Sequence, residues 1–63
     1  MINILFFDID TQQNCMYTDS DAIHFIPRNG DTVYTKNATR YKVTNVSHMY
    51  DRGEIVIEVT RRY

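Results

Sequence analysis

Two histidines, one cysteine and a set of tyrosines interleaved with basic residues are the side chains with chemistry to offer in this chain. His24 and His48 would form an acid–base pair or take a metal, because imidazole titrates near neutral pH and offers a ring nitrogen as ligand. Neither has a hydroxyl or thiol at a spacing that marks a nucleophile. A tetrahedral zinc site draws on about four ligands. Cys15, His24 and His48 hold no close pair such as C-x-x-C, so no metal and no other cofactor is expected. Cys15 lies beside a turn without a cationic neighbour in sequence to favour its thiolate. With no convergent acid, base and nucleophile, the chain is not expected to be an enzyme.

The basic and aromatic residues suggest binding instead. Tyr34, Tyr41, Tyr50 and Tyr63 interleave with Lys36, Arg40, Lys42 and Arg52. Rings that stack on bases beside cations that meet phosphate make up a platform for single-stranded nucleic acid. Affinity there would come mainly from Arg40, Lys42, Arg52, Arg61 and Arg62, with Tyr41 or Tyr50 stacking. Two facts oppose this. The net charge is -1, whereas such domains usually carry a basic excess. Tyrosine is also common in strands for packing reasons.

The run Phe6-Phe7-Asp8-Ile9-Asp10-Thr11 resembles the first motif of haloacid dehalogenase-type phosphatases, a hydrophobic strand ending in D-x-D-x-T. The resemblance implies attack on phosphorus by Asp8 and handling of the leaving-group proton by Asp10. That chemistry also needs a lysine and magnesium-binding carboxylates from later strands of a doubly wound domain. A chain of 63 residues does not supply them, so the run reads as a strand that ends in a polar turn.

The elements that position these residues follow from period-2 alternation, since no stretch carries a clean 3.6-residue apolar stripe. Segment 2–9 puts Ile2, Ile4 and Phe6 on one face and Leu5, Phe7 and Ile9 on the other, a strand buried on both sides for part of its length. Residues 10–14 read as a turn. Met16–Thr18 is strand, 19–21 interrupts it, and Ile23, Phe25 and Ile26 resume extended structure. Pro27 must leave the ladder or lie at its edge, and Asn29-Gly30 is a turn signal. A third strand covers 31–35. A fourth covers 40–51, with Tyr41 and Val43 on one face and Val46, His48 and Tyr50 on the other, which a bulge near Thr44-Asn45 reconciles. Asp51-Arg52-Gly53 turns into a fifth strand, where Ile55, Ile57 and Val59 alternate inward. The expectation is one all-β domain over 1–63, a five-stranded small barrel of SH3-like or OB-like kind. Its expected core is Ile4, Phe6, Val33, Val43, Val46, Ile55, Ile57 and Val59.

The segments Pro27-Arg28-Asn29-Gly30-Asp31-Thr32-Val33 and Tyr41-Lys42-Val43-Thr44-Asn45-Val46 resemble short uncharacterised bacterial and phage-encoded proteins. These carry P-R-x-G-D-x-V followed by Y-x-V-x-x-V. The resemblance implies the small-barrel fold and a phage or mobile-element source, and it brings no activity with it. The motif also has a local reading. Pro27 ends an extended segment, Gly30 permits a turn, and Asp31 accepts a local backbone hydrogen bond.

Composition narrows the classes further. Apolar residues make up 43% and charged residues 24%, which excludes a disordered tail. Apolar runs such as Ile4–Phe7 are far too short to span a membrane, and no basic flank marks a secretory signal. The triplets Asn37-Ala38-Thr39 and Asn45-Val46-Ser47 are then chance matches to the glycosylation pattern. One cysteine excludes an intrachain disulfide and favours a reducing, cytoplasmic setting. So small a domain buries only about 60% of its unfolded surface. A two-fold homodimer using Met16 and exposed tyrosines is therefore expected.

Charge is unevenly placed. Residues 1–31 carry five aspartates against Arg28, a net of -4, and residues 32–63 carry +3. The small size and the resemblance to phage-borne proteins imply a non-enzymatic protein-interaction module, in the manner of a phage or mobile-element inhibitor of a host enzyme or defence system. Single-stranded nucleic-acid binding is the alternative. The candidate interaction residues are Tyr34, Arg40, Tyr41, Lys42, Tyr50, Arg52, Arg61 and Arg62.

Overall fold

Side chains that reverse face at each step build the strands of the computed structural model, which describes residues 2–23, 25–35 and 38–62. The strands are β1 (Asn3–Asp8), β2 (Gln13–Asp19), β3 (Thr32–Tyr34), β4 (Arg40–Met49) and β5 (Glu54–Thr60), with one 3₁₀ turn, Tyr50–Arg52, between β4 and β5. They form a single sheet in the order β2-β1-β5-β4-β3. All pairings are antiparallel except β1 with β5, which is parallel. The sheet curls into a half-barrel, giving the expected all-β, five-stranded, barrel-like fold. β2 and β3 are its two edges.

Ile4, Phe6 and Asp8 face the concave side from β1, and Ile55, Ile57 and Val59 face it from β5. In register, Ile4 lies beside Ile55, Phe6 beside Ile57 and Asp8 beside Val59. Val43 pairs with Val59 and Val46 with Ile57, with a register break between Val43 and Asn45. That break is the expected bulge. It keeps Val43 and Val46 on one face despite their odd spacing. Thr44, the extra residue, donates its hydroxyl to the Glu58 carbonyl at 3.2 Å.

Six of the eight expected core residues are fully buried, while Val33 and Val46 are half-buried against them. Tyr41 joins the core at 6% exposure. On the convex side Leu5, Phe7 and Val56 stay only half-buried, because the single sheet has no second layer there.

Several local features differ from the sequence reading. The fourth strand ends at Met49, with Tyr50 and Asp51 in the 3₁₀ turn, and Asp19 closes β2 instead of interrupting it. The first turn is shorter, and Gln13 and Asn14 belong to β2. The Asp8 carboxylate accepts the Asp10 N–H at 2.9 Å and, more loosely, the Thr11 N–H at 3.4 Å, and Gln12 adopts φ 58°, so residues 9–12 suffice to reverse the chain. Ile23, Phe25 and Ile26, expected to resume extended structure, join no ladder. The Asp19 carboxylate accepts the Asp21 N–H at 2.9 Å, and the Asp19 carbonyl accepts the Ala22 N–H at 3.1 Å. This turn diverts the chain, and the buried Pro27 has no N–H to restart a ladder.

Candidate functional site

The half-barrel is open between its two edges, and residues 20–23 and 25–31 cross that opening. Gly30, at φ +96°, donates its N–H to the Val43 carbonyl, and Val43 returns a bond to the Asp31 carbonyl, both at 2.8 Å. The Asp31 carboxylate accepts the Arg28 N–H at 2.8 Å. These bonds tie the end of the crossing onto β4 and launch β3. The start of the crossing is held by the Asp19 turn.

Between these anchors lies an apolar groove of about 600 Å³. Phe6, Met16 and Val33 line it from the sheet, and Ile23, Phe25 and Pro27 line it from the crossing. Tyr34 and Asp31 stand at its margin. Phe25 is 75% exposed and Tyr34 is 63% exposed. An open phenyl ring beside a preformed apolar cleft is the surface that gains most when a partner covers it. Sequence marks Met16 only for a dimer contact, and Phe25 and Ile23 for no binding role. The signal that could have found them is three apolar residues in four, Ile23 to Ile26, lying between a double-aspartate turn and a proline.

The structure divides the expected interaction residues among three places. Tyr34 pairs with Arg40 across β3 and β4, and Lys42 sits one step along, opposite Thr32 and Thr60. This puts Tyr34, Arg40 and Lys42 on the convex face near one end of the sheet. Arg61 and Arg62 follow β5 at that end, where Arg61 lies 3.9 Å from Asp8 and Arg62 lies 3.9 Å from Asp10. Tyr50 and Arg52 lie at the opposite end, beyond β4. There Tyr50 stacks on His48 with ring centroids 6.2 Å apart, and Arg52 sits 4.0 Å from Glu54. Tyr41 must be corrected. Its ring points into the core beside Val43, so it presents no face for a base to stack on. Alternation decides this, since Lys42 and Arg40 take the convex face and Tyr41 is left the concave one. His24, Lys36 and Tyr63 lie outside the described residues.

The D-x-D end of β1 is a structural knot. The buried Asp8 caps the turn, while Asp10 accepts the Thr60 hydroxyl at 2.8 Å and the Arg61 N–H at 3.1 Å. Those two hydrogen bonds, with Thr60 the larger cause, hold the Asp10 carboxyl below its ordinary value. Cys15 donates its thiol to the Phe6 carbonyl at 3.4 Å. Burial pushes the Cys15 thiol up, against a smaller downward pull from the Tyr41 hydroxyl, and burial likewise pushes up the Tyr41 phenol. Among the described residues no three of His, Cys, Asp and Glu gather into a group that would hold a metal, and no helix is long and apolar enough to cross a membrane. Comparison of the chain with family models, curated proteins and solved structures finds no match.

Proposed function

We propose that this chain is a non-enzymatic protein-interaction module whose docking surface is the groove between β2 and β3. The observation that carries the reading is the exposed Phe25 ring beside an open apolar cleft in an unclosed barrel. Burying such a ring and the walls around it supplies binding free energy without any reacting group. The resemblance of the P-R-x-G-D-x-V segment to phage-encoded proteins supports a host protein as the partner and inhibition as the use. A cytoplasmic setting belongs to the same proposal.

Selection from a displayed random-peptide library tests it. Selected peptides should bind the native chain and lose at least about tenfold in affinity to Phe25→Ala, a surface truncation expected to change folding stability by no more than about 0.5 kcal/mol. Selected peptides that bind Phe25→Ala unchanged would remove the groove from the proposal.

Single-stranded nucleic-acid binding remains the second reading, and one observation favours it. Tyr34, 63% exposed, shares the convex face with Arg40 and Lys42. Fluorescence anisotropy with an oligothymidine at two salt concentrations separates the readings. Tight binding that weakens steeply with salt, and that falls in Lys42→Ala, would favour nucleic acid, because each neutralised phosphate releases counterions.

A further inference from the structure

β2 is the longer of the two edges, and among the described residues it pairs with β1 alone. Ser20 donates its N–H to the Ile2 carbonyl at 2.8 Å, and the Ile2 N–H donates to the Ser20 hydroxyl oxygen at 3.0 Å, so the backbones of Ile2 and Ser20 face one another and set the phase of the ladder. Hydrogen-bonded and non-hydrogen-bonded pairs alternate along an antiparallel ladder. From the register Asn3–Asp19, Ile4–Thr18, Leu5–Tyr17 and Phe6–Met16, Tyr17 and Asp19 occupy the non-hydrogen-bonded positions. Their backbone groups therefore point away from β1, toward the open edge. The Asp19 carbonyl is taken by Ala22. The Tyr17 N–H and carbonyl and the Asp19 N–H are directed outward, ready for another strand.

We infer that the groove's occupant is an extended peptide segment that adds to the free edge of β2 opposite Met16–Asp19, with two apolar side chains in the groove and a lysine or arginine beside Asp19. This inference rests on the interaction-module reading and specifies its ligand. Side chains opposite Met16 and Thr18 follow the concave face and enter the cleft, while those opposite Tyr17 and Asp19 follow the convex face. Charge selects the basic residue. The edge and crossing, residues 19–34, carry Asp19, Asp21 and Asp31 against Arg28, a net of -2. One Asp19 carboxylate oxygen accepts the Asp21 N–H, and the carboxylate lies opposite the incoming position, where an opposite charge is favoured. The segment in antiparallel register reads basic, apolar, any residue, apolar.

A second copy fits less well. Two β2 strands paired antiparallel about Tyr17 would set Asp19 opposite the partner copy's residue 15. Cys15 is uncharged, and it is the extra residue of a bulge, since Phe6 pairs with Met16 while Phe7 pairs with Asn14. The bulge breaks the ladder on that side of the axis. A polyanion meets the same three aspartates.

The test is a nuclear magnetic resonance titration of the full chain with three capped hexapeptides. The parent is Ser-Lys-Val-Thr-Val-Ser, the second carries an N-methyl group on its threonine, and the third replaces its lysine with glutamate. The parent should shift the amides of Met16 to Asp19 and of Phe25. N-methylation, which removes a backbone donor aimed at the Tyr17 carbonyl, should weaken binding about tenfold. The glutamate peptide should bind about threefold more weakly than the parent to the native chain. It should bind about equally to Asp19→Asn, which keeps the oxygen that accepts the Asp21 N–H. Equal binding of the parent and N-methyl peptides would overturn strand addition and leave groove docking intact. Absence of shifts with any peptide at millimolar concentration overturns both. Sedimentation showing a micromolar dimer whose Met16 to Asp19 amides are protected without peptide assigns the edge to a second copy and overturns the inference.

Discussion

Asp8 and Asp10 stand two residues apart and serve two different ends of the chain. Asp8 closes the turn after its own strand, and Asp10 reaches the Thr60 hydroxyl fifty residues away. Because the Asp10 carboxyl is held below its ordinary value of 3.8, its contribution to stability is complete above that value and is lost as the pH falls through the lower folded value. Asp10→Asn should therefore lower the melting temperature at pH 7, and the gap to the native chain should close in strong acid. Thermal melts across a pH series check the sign, and a gap that widens on acidification would contradict it. Cys15 gives a second expectation. Burial raises its thiol, so iodoacetamide should alkylate the folded chain more slowly than a free thiol, with the rate recovering in denaturant.

At the scale of elements, β5 carries the fold. It lies between β1 and β4, and its inward residues Ile55, Ile57 and Val59 are buried at 4%, 0% and 0% exposure. Ile57→Ala should cost about 2–4 kcal/mol by transfer and cavity terms, a large part of the roughly 5–15 kcal/mol typical of a folded domain. Urea titration should show a lower midpoint or a chain already unfolded in buffer. The 3₁₀ turn before β5 ends at Gly53 with φ +63°. A Cβ there meets nothing within 4 Å, so the penalty of Gly53→Ala is backbone strain alone, about 1 kcal/mol. A loss several times larger in the same titration would mean the turn supports more than its own conformation.

For the molecule as a whole, one sheet with one packed face sets a gradient of stability. β1, β5 and β4 have neighbours on both sides, and β2 and β3 do not. Amide hydrogen exchange should be slowest at Ile4, Phe6 and Ile57 and fastest along β3 and the outward positions of β2. Equal protection of Tyr17 and Ile57 would mean that the β2 edge is covered in solution. The same openness makes the molecule a candidate receptor for another strand, since the groove and the free edge lie on the same side.

Much of this was legible in the residues themselves. Alternation of Ile55, Ile57 and Val59 with Glu54, Glu58 and, less tidily, Val56 marked which face of β5 is buried, because a strand's side chains reverse face at every step. The parity break between Val43 and Val46 announced the bulge for the same reason. Asn29-Gly30 marked a turn because glycine alone adopts its φ without strain. Ile23 to Ile26 misled, because an apolar run of that length is equally suited to a ladder or to capping a cleft. The Asp19 turn before it, closed by local hydrogen bonds, and the proline after it, which has no N–H to offer a ladder, decided the matter. Tyr41 was assigned to binding by its basic neighbours in sequence, whereas strand geometry separates neighbours onto opposite faces. The groove was not visible from sequence. It exists only because residues from β1, β2, the 20–31 crossing and β3 meet where the curled sheet stops short of closing, and local propensity holds no information about that gap.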